Sequence, residues 1–330
     1  MRVAAFSIKP YDRESLAAAS VGLPLEWVWL EPRLDRDTAR LAEDAEAVNC
    51  FVNDSLDAAT LERLARLGVK LITLRCAGFN QVDLDAAARL GLAVTRVPEY
   101  SPHAVAEHTV GLMLMLDRRL HKAYNRVREG NFSLDGLLGF DLHGRTVGIV
   151  GTGRIGRRVA EILLGFGCHV LAHDPGVDKA LEARGVRFVP LDDLFATADI
   201  VTLHCPLTAA TRHLVGARAL SLMKPGVMLV NTSRGGLVDT RAVIAALKRG
   251  HVGHLGLDVY EEEADLFFTD HSGSVIQDDT FSRLLTFPNV VVTAHQAFFT
   301  KDALDAIAAQ TVRNLMLFQR GAPLEAEVRA

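Results

Sequence analysis

The chain has 330 residues, of which 49% are hydrophobic, and its formal net charge is −4 at pH 7. This length predicts about two domains, and the charge balance does not favour DNA or an anionic membrane as a partner. No apolar run approaches the roughly 20 residues of a membrane span, and the N-terminus lacks the features of a secretory signal, so we expect a cytoplasmic protein.

The first hundred residues alternate strand-like apolar runs with helical patterns. The strand-like runs cover residues 2–8, 25–30, 47–53, 69–76 and 92–97. Helical patterns at 58–68 and 84–91 each end in glycine, the usual stop residue of a helix. Repeated alternation of this kind predicts a parallel sheet with helices on both faces.

A break in this pattern follows, punctuated by Pro98 and Pro102. Residues 103–129 then predict one long helix, which we expect to span two domains. Alternation restarts after it, with strand-like runs at 146–150, 169–174, 199–205, 227–233, 254–260 and 289–295. The sequence therefore predicts two successive α/β halves, the second beginning near Ser101.

Two later segments stand outside this alternation of strands and helices. A final helix is expected at 301–319, and it could close the second half or return to pack on the first. The segment 262–289 has no clear periodicity, and a connection of that length inside a compact domain usually carries function or covers a site.

A glycine-rich turn stands near the start of the second half. The sequence GTGRIG, from Gly151 to Gly156, follows an apolar strand that ends at Val150 and opens a helical pattern. In dinucleotide-binding folds the first glycine permits the tight turn, the second (Gly153) lets the pyrophosphate approach the backbone, and the third allows close packing of helix and strand. The helix N-terminus then faces the phosphates.

The next strand ends at Asp174, 18 residues after Gly156. A carboxylate at that point can accept hydrogen bonds from both hydroxyls of the adenosine ribose, and it would repel a 2′-phosphate. This favours NAD over NADP. The alternative is a glycine-rich turn that binds nothing, which the strand, helix and acid in their expected places disfavour.

Polar side chains follow three later strands. Arg234 follows one strand, Asp258 and three glutamates follow the next, and His295 follows the third. In a doubly wound sheet, ligands bind outside the carboxyl ends of the strands. An arginine, a carboxylate and a histidine should therefore converge near the cofactor.

This set suits hydride transfer between a dinucleotide and a 2-keto acid. An arginine clamps the substrate carboxylate through a planar fork and polarises the ketone. A histidine titrates near the working pH and protonates the developing alkoxide, and a neighbouring carboxylate keeps it charged. The alternatives are an Arg234 that caps a loop and a His295 that is only structural.

The identity of the acidic partner stays open at this point. Alternation places Glu261 and Glu263 on the same side of the chain, with Glu262 opposite, so spacing does not separate the first two. Asp258 is a third candidate, although it could instead contact the nicotinamide ribose or amide.

The remaining histidines and cysteines suggest no further chemistry. His204 stands before Cys205 and Pro206, and we interpret this stretch as a cofactor wall rather than a catalyst. The four cysteines are scattered without a CxxC pair, which indicates reduced core residues and no metal site.

The chain resembles the NAD-dependent D-isomer-specific 2-hydroxyacid dehydrogenases, and most of all their bacterial fermentative D-lactate dehydrogenases. The similarity covers essentially the whole chain. It is carried by motifs in order, notably LRCAGFN, RVPEYSPHAVAEH, GTGRIG, LHCPLT, NTSRGGLVD, DVYEEEADLFF and TAHQAF.

The resemblance implies a role for each matching residue. The catalytic residues would be Arg234, Glu263 and His295, so that Glu263 becomes the expected partner of His295. The cofactor contacts would be Gly151, Gly153, Arg154, Ile155, Gly156, Asp174, Cys205, Pro206, Thr211, Thr232, Ser233 and Asp258. The substrate contacts would be Ala77, Gly78, Tyr100, Arg234, His295 and Phe299.

Three positions depart from the family's usual pattern or vary within it. Thr211 stands where some relatives have an asparagine that contacts the cofactor. Phe51 and Phe299 are aromatic where relatives differ, and such positions tune the preferred size of the keto acid.

The resemblance also implies the architecture and the activity. Residues 1–100 and 299–330 would form a flavodoxin-like substrate domain, and residues 101–298 an NAD-binding Rossmann domain, both doubly wound with parallel sheets. The expected reaction is reversible, NADH-dependent reduction of pyruvate to D-lactate, with the hydride from nicotinamide C4 and the proton from His295. A homodimer or homotetramer would assemble through the NAD-binding domain.

Two rival functions are a D-2-hydroxyacid dehydrogenase for a larger keto acid or glyoxylate, and an NAD(H)-sensing co-regulator. The second would predict added interaction segments or a damaged catalytic set, and the sequence shows neither.

Overall fold

The computed structural model describes residues 1–329, apart from the side chain of Asp265. The chain divides into two compact units, which are Met1–Ser101 with the chain from Phe299 onward, and Pro102–Phe298. Among the described helices, none combines the length and the apolar character needed to cross a membrane.

The first unit contains a five-stranded sheet. Its strands and helices in this part of the chain are β1 (Arg2–Ala5), α1 (Pro10–Ala19), β2 (Glu26–Trp29), β3 (Ala47–Cys50), α2 (Ala58–Arg66), β4 (Leu71–Leu74), α3 (Leu84–Arg89) and β5 (Ala93–Thr95). The strand order is β2-β1-β3-β4-β5, and every pairing is parallel. This is the flavodoxin-like order of a doubly wound sheet.

Local sequence signals set the helix boundaries of this unit. The side chains of Asp57 and Asp83 accept hydrogen bonds from the backbone N–H groups of Thr60 and Ala86, and so cap α2 and α3. Both helices are followed by a glycine with positive φ, the conformation that ends a helix at low cost.

The final helix, α12 (Lys301–Gln319), belongs to the first unit, which answers the question left open by the sequence. It packs against α1 and β4. Leu315 is buried in a cluster with Val3, Ala47 and Leu71, which covers one face of the five-stranded sheet. The chain then forms an antiparallel bridge from Glu327 to Thr95 at the edge strand β5.

The second unit contains a seven-stranded parallel sheet. Its strands are β6 (Thr146–Val150), β7 (His169–His173), β8 (Arg187–Phe188), β9 (Ile200–Leu203), β10 (Val227–Asn231), β11 (Val252–Leu257) and β12 (Val290–Val292). The order is β12-β11-β10-β9-β6-β7-β8. The order reverses between β6 and β9, which is the switch point where doubly wound sheets bind dinucleotides.

The helices of the second unit connect these strands. They are α4 (Pro102–Asp117), α5 (Leu120–Arg128), α6 (Arg154–Gly165), α7 (Lys179–Ala183), α8 (Leu191–Thr197), α9 (Ala217–Leu222), α10 (Thr240–Lys248) and α11 (Asp279–Leu285). The irregular segment 262–289 contains α11 and a 3-10 turn at Glu263–Asp265.

Two expectations from the sequence are wrong. Residues 103–129 form two helices rather than one, separated by Arg119 in the left-handed region at φ 50°, and both helices lie in the second unit. The break falls where burial ends, because Asp117 is buried while no residue of α5 is. The two-residue strand β8 was not predicted, since it is too short to show alternation.

Candidate active site

The glycine turn joins β6 to α6, and two of its glycines are required by the surrounding chain. Gly151 has φ +93°, and a Cβ atom on it would lie 2.6 Å from the backbone nitrogen of Cys205. A Cβ on Gly156 would overlap the carbonyl oxygen of Gly151. Gly153 has no heavy atom within 4 Å of its Cβ position, so space is open at the start of α6, whose first residues are Arg154 and Ile155.

Asp174 follows β7 and holds this turn. Its Oδ2 accepts a hydrogen bond from Thr152 N at 2.7 Å, and its Oδ1 accepts one from Gly176 N at 3.1 Å. Burial opposes ionisation, but these backbone donors prevail and lower the pKa of the Asp174 carboxyl below its ordinary value. An ionised carboxylate therefore borders the turn where the ribose of a dinucleotide would lie.

The loop after β9 lies against the glycine turn. Burial lowers the pKa of His204 to about 3, so its imidazole is neutral, and its Nε2 hydrogen bonds with Thr202 Oγ1 at 2.9 Å. Burial also raises the pKa of the Cys205 thiol. Neither group is suited to proton transfer near neutral pH. Pro206 accepts a hydrogen bond on its carbonyl from Thr211 Oγ1 at 2.6 Å, so this hydroxyl can only accept from a ligand.

The residues after β10 are organised by short hydrogen bonds. Thr232 Oγ1 lies 2.8 Å from Thr109 Oγ1 of α4, and Ser233 Oγ donates to the carbonyl of Cys205 at 2.8 Å. Arg234 is half-buried, and its Nη1 donates to the carbonyl of Ser233 at 2.7 Å. The guanidinium is therefore held at the carboxyl end of β10, which lies between β9 and β11 in the sheet.

His295 pairs with Glu263, not with Glu261. The distance from His295 Nδ1 to Glu263 Oε1 is 2.7 Å, and Glu263 Oε2 accepts a hydrogen bond from Tyr260 N at 2.9 Å. The two side chains are 18% and 19% exposed, which strengthens the electrostatic interaction between them relative to water. Because a carboxylate only accepts, Nδ1 carries a proton, and Nε2 is the nitrogen available to a substrate.

The turn that carries His295 has an unfavourable backbone conformation. Ala294 and His295 have φ 51° and 59°, in the left-handed region that costs a non-glycine residue about 1–2 kcal/mol. The buried carboxylate of Asp258 accepts hydrogen bonds from Gln296 N at 2.8 Å and Ala297 N at 3.0 Å. Hydrogen bonds to a charged group contribute about 1.5–3 kcal/mol each, enough to hold the turn.

His108, which the sequence gave no reason to single out, extends this network from α4. Its Nε2 hydrogen bonds with Thr293 Oγ1 at 3.0 Å, and Thr293 Oγ1 lies 2.6 Å from Asp258 Oδ1. Periodicity could not identify this contact, because it joins residues 185 positions apart. The contacts that the structure shows for Asp258, which was expected as a cofactor contact, support the backbone that positions His295.

The acidic run contains a second histidine–carboxylate pair that the sequence did not suggest. His213 Nε2 lies 2.5 Å from Glu261 Oε1. The alternation of residues 261–263 left Glu261 and Glu263 equivalent, and the structure provides each with a different histidine.

The remaining expected substrate contacts lie in the first unit. Ala77 and Gly78 follow β4, where Arg96 Nη1 donates to the carbonyl of Ala77 at 2.8 Å and fixes the turn. Phe299 packs edge-on against Tyr11, with ring centroids 4.7 Å apart. Tyr100 is half-buried near the end of the continuous N-terminal part of this unit.

Comparison with known proteins identifies the family. Residues 110–297 match the family model of the D-isomer specific 2-hydroxyacid dehydrogenase, NAD binding domain. The chain is 55% identical over 319 residues to 2-hydroxyacid dehydrogenase homolog 1 of Schizosaccharomyces pombe, covering 96% of each chain. It is 50% identical over 321 residues to the D-lactate dehydrogenase of Escherichia coli, covering 97% of this chain and 98% of that one.

A solved structure of the pyruvate reductase of Chlamydomonas reinhardtii superposes with a TM-score of 0.94 at 47% identity, covering 98% of both chains. The similarity thus extends beyond the matched residues 110–297 and includes the five-stranded sheet of the first unit. The chain belongs to the D-isomer specific 2-hydroxyacid dehydrogenase family.

Proposed function

We propose that the protein reduces pyruvate to D-lactate with NADH, and catalyses the reverse reaction with NAD. The observation that carries the proposal is the 2.7 Å hydrogen bond between His295 and Glu263. His295 follows β12, and the neighbouring strands β11 and β10 are followed by Asp258 and Arg234. The names of the E. coli and C. reinhardtii relatives support lactate and pyruvate as the substrate pair.

Each residue of the catalytic set has a distinct task in this proposal. Arg234 binds the carboxylate of the keto acid and stabilises the negative charge that grows on the ketone oxygen. His295 Nε2 gives that oxygen a proton, while Glu263 favours the charged imidazole and holds its orientation. The reduced dinucleotide, when bound, supplies the hydride. In lactate oxidation neutral His295 removes the hydroxyl proton.

The residues around the glycine turn fit a dinucleotide. The open space beside Gly153, the N-terminus of α6 and the ionised Asp174 provide for a pyrophosphate and a ribose. We assign the second unit to NAD and the first unit, with Ala77, Gly78, Tyr100 and Phe299, to the substrate. In this assignment Arg154, Ile155, Cys205, Pro206, Thr211, Thr232, Ser233 and Asp258 line the cofactor site.

The proposed reaction is tested by NADH oxidation with pyruvate, with the lactate resolved on a chiral column. Arg234→Ala should raise KM for pyruvate sharply and lower kcat, because the guanidinium acts on the bound ketone and on the developing charge. Arg241→Ala, at an exposed site on α10, is the control and should behave like the wild type. L-lactate as product, or a preference for larger keto acids over pyruvate, would contradict the proposal.

The acid–base assignment predicts a shift in the pH–rate profile. His295→Asn should lower kcat by about 10²–10⁴. Glu263→Gln removes the opposite charge and disfavours the imidazolium, so the alkaline fall in the rate of pyruvate reduction should move to lower pH. The acid fall in lactate oxidation should move in the same direction.

Glu262→Gln is the matched control for this shift, since Glu262 is the exposed neighbour in the same acidic run. Its profile should coincide with that of the wild type. A Glu263→Gln profile that also coincides with the wild type would show that the pair does not tune His295.

Two substitutions in the glycine turn should have different effects, one on cofactor binding alone and the other on folding as well. Gly153→Ala should leave the thermal midpoint nearly unchanged but weaken NADH binding, because its Cβ occupies only the open space where we place the pyrophosphate. Gly156→Ala should lower the thermal midpoint as well, because its Cβ overlaps the carbonyl of Gly151. Thermal unfolding and fluorescence titration with NADH measure the two effects. Unaltered NADH affinity in Gly153→Ala would contradict the placement.

We also propose a homo-oligomer formed through the second unit. Leu120, Tyr124 and Val127 share one face of α5 and are 52%, 62% and 52% exposed. Arg126 Nη1 ties the following segment to α5 through the carbonyls of Ser133 and Asp135, at 2.9 and 2.8 Å. That segment exposes further large apolar residues, which are Phe132, Leu134 and Leu138. Apolar surface of this kind is usually buried against a partner, and we assign it to a second copy of the chain.

Charge substitution on this surface should dissociate the oligomer. Tyr124→Asp and Leu138→Asp should each reduce the mass measured by light scattering after gel filtration, because a carboxylate would be buried without a partner. Val21→Asp is the control, since Val21 is 81% exposed but lies in the first unit. A wild-type monomer, or unchanged mass in both α5-region variants, would contradict the assignment.

A further inference from the structure

We propose that Glu261 and His213 form a positioning clasp, which holds the loop after β9 in the conformation that binds the dinucleotide. The clasp consists of the Glu261 carboxylate, the His213 imidazole and their partners Arg212 and Thr240. It deepens the proposed function, since it rests on the assignment of Cys205, Pro206 and Thr211 to the cofactor site.

Glu261 is bound by groups from two other segments of the second unit. Its Oε1 accepts from His213 Nε2 at 2.5 Å and lies 3.5 Å from Arg212 Nη2, and its Oε2 accepts from Thr240 Oγ1 at 3.3 Å. The Glu261 side chain is only 16% exposed. Because the carboxylate can only accept, His213 Nε2 is the donor, and this hydrogen bond is charge-assisted.

The backbone around His213 is joined to the loop that follows Arg234. His213 N donates to the carbonyl of Gly236 at 2.8 Å, and Val215 N donates to that of Leu237 at 3.0 Å. His213 has φ 52°, a left-handed conformation that persists only where the surrounding contacts hold it. The interaction with Glu261 is one such contact.

The loop of Arg234 also lies directly against the acidic run. A Cβ on Gly235 would overlap the carbonyl of Tyr260 and lie 2.5 Å from Glu261 N. Glu261 therefore stands where three segments meet: the loop after β9, the loop after β10 and the run that leads to Glu263. Glu263 serves His295 while Glu261, two residues earlier, serves the neighbouring loops.

The loop after β9 is thus anchored at both ends. At its start, Cys205 N lies against the position of a Gly151 Cβ, and the Cys205 carbonyl accepts from Ser233 Oγ at 2.8 Å. At its other end, His213 is held by Glu261. The cofactor contacts assigned to Pro206 and Thr211 lie between these anchors, and the contact assigned to Cys205 lies at the first of them. Release of the second anchor would therefore weaken dinucleotide binding before it affected the acid–base pair.

The test measures NADH affinity by fluorescence titration, which requires no turnover. His213→Asn tolerates the left-handed backbone, but its side chain is too short to reach Glu261, and Glu261→Gln removes the charge. Each should raise the Kd for NADH about tenfold, the loss expected for a charge-assisted hydrogen bond. KM for pyruvate at saturating NADH should change less than twofold.

Three further variants make the result specific to the clasp. His213→Gln carries an amide donor near the position of Nε2 and should recover most of the affinity. The double variant His213→Asn, Glu261→Gln should bind NADH about as well as either single variant, because each single substitution already removes the same His213–Glu261 interaction. Glu262→Gln should bind like the wild type.

The proposal is overturned if His213→Asn and Glu261→Gln bind NADH as the wild type does, or if they lower only the thermal midpoint. It is also overturned if Glu262→Gln weakens binding equally. A wild-type protein that binds NADH but does not reduce pyruvate would contradict the proposed function alone, since the clasp is measured by affinity.

Discussion

The hydrogen bond from His295 to Glu263 is the interaction on which the proposed site depends, and contacts from several segments of the second unit maintain it. His295 reaches Glu263 from a turn with two consecutive left-handed residues, and the buried carboxylate of Asp258 holds that turn through the backbone N–H groups of Gln296 and Ala297. Glu263 is fixed in turn by Tyr260 N. The geometry of the pair is therefore fixed by contacts within the protein itself, as general acid–base chemistry requires.

One short acidic stretch performs several different tasks. Asp258 supports backbone, Glu261 joins neighbouring loops, Glu262 is exposed, and Glu263 pairs with His295. The roles differ because the side chains meet different partners, not because their chemistry differs. A 3-10 turn begins at Glu263, so the alternation of side chains along the chain ends there. Identical carboxylates thus acquire separate roles from the groups that the fold places opposite them.

Close backbone approach is the second constraint on the site. Gly151 meets the loop after β9, Gly156 meets Gly151, and Gly235 meets the acidic run, each at a distance that a Cβ atom could not share. These contacts bring loops from separate strands together at the carboxyl edge of the seven-stranded sheet. With a side chain at any of these glycines, the loops could not approach one another as closely as they do.

The sequence by itself determined the α/β class, the parallel sheets, the glycine turn with Asp174, and the strand ends that carry Arg234, Asp258 and His295. These features follow from short-range patterns, since periodicity, glycine spacing and strand termini are written within a few residues. Periodicity and spacing did not separate Glu261 from Glu263 and did not place α12, and only the resemblance implied an answer to either question. The tertiary structure shows the contact of Glu263 with His295, the packing of α12 on the first unit, and the support of the site by His108 and His213. It also divided the expected long helix at Arg119 and added β8. Each of these depends on which distant residues become neighbours, or on where burial stops, and no local pattern contains that information.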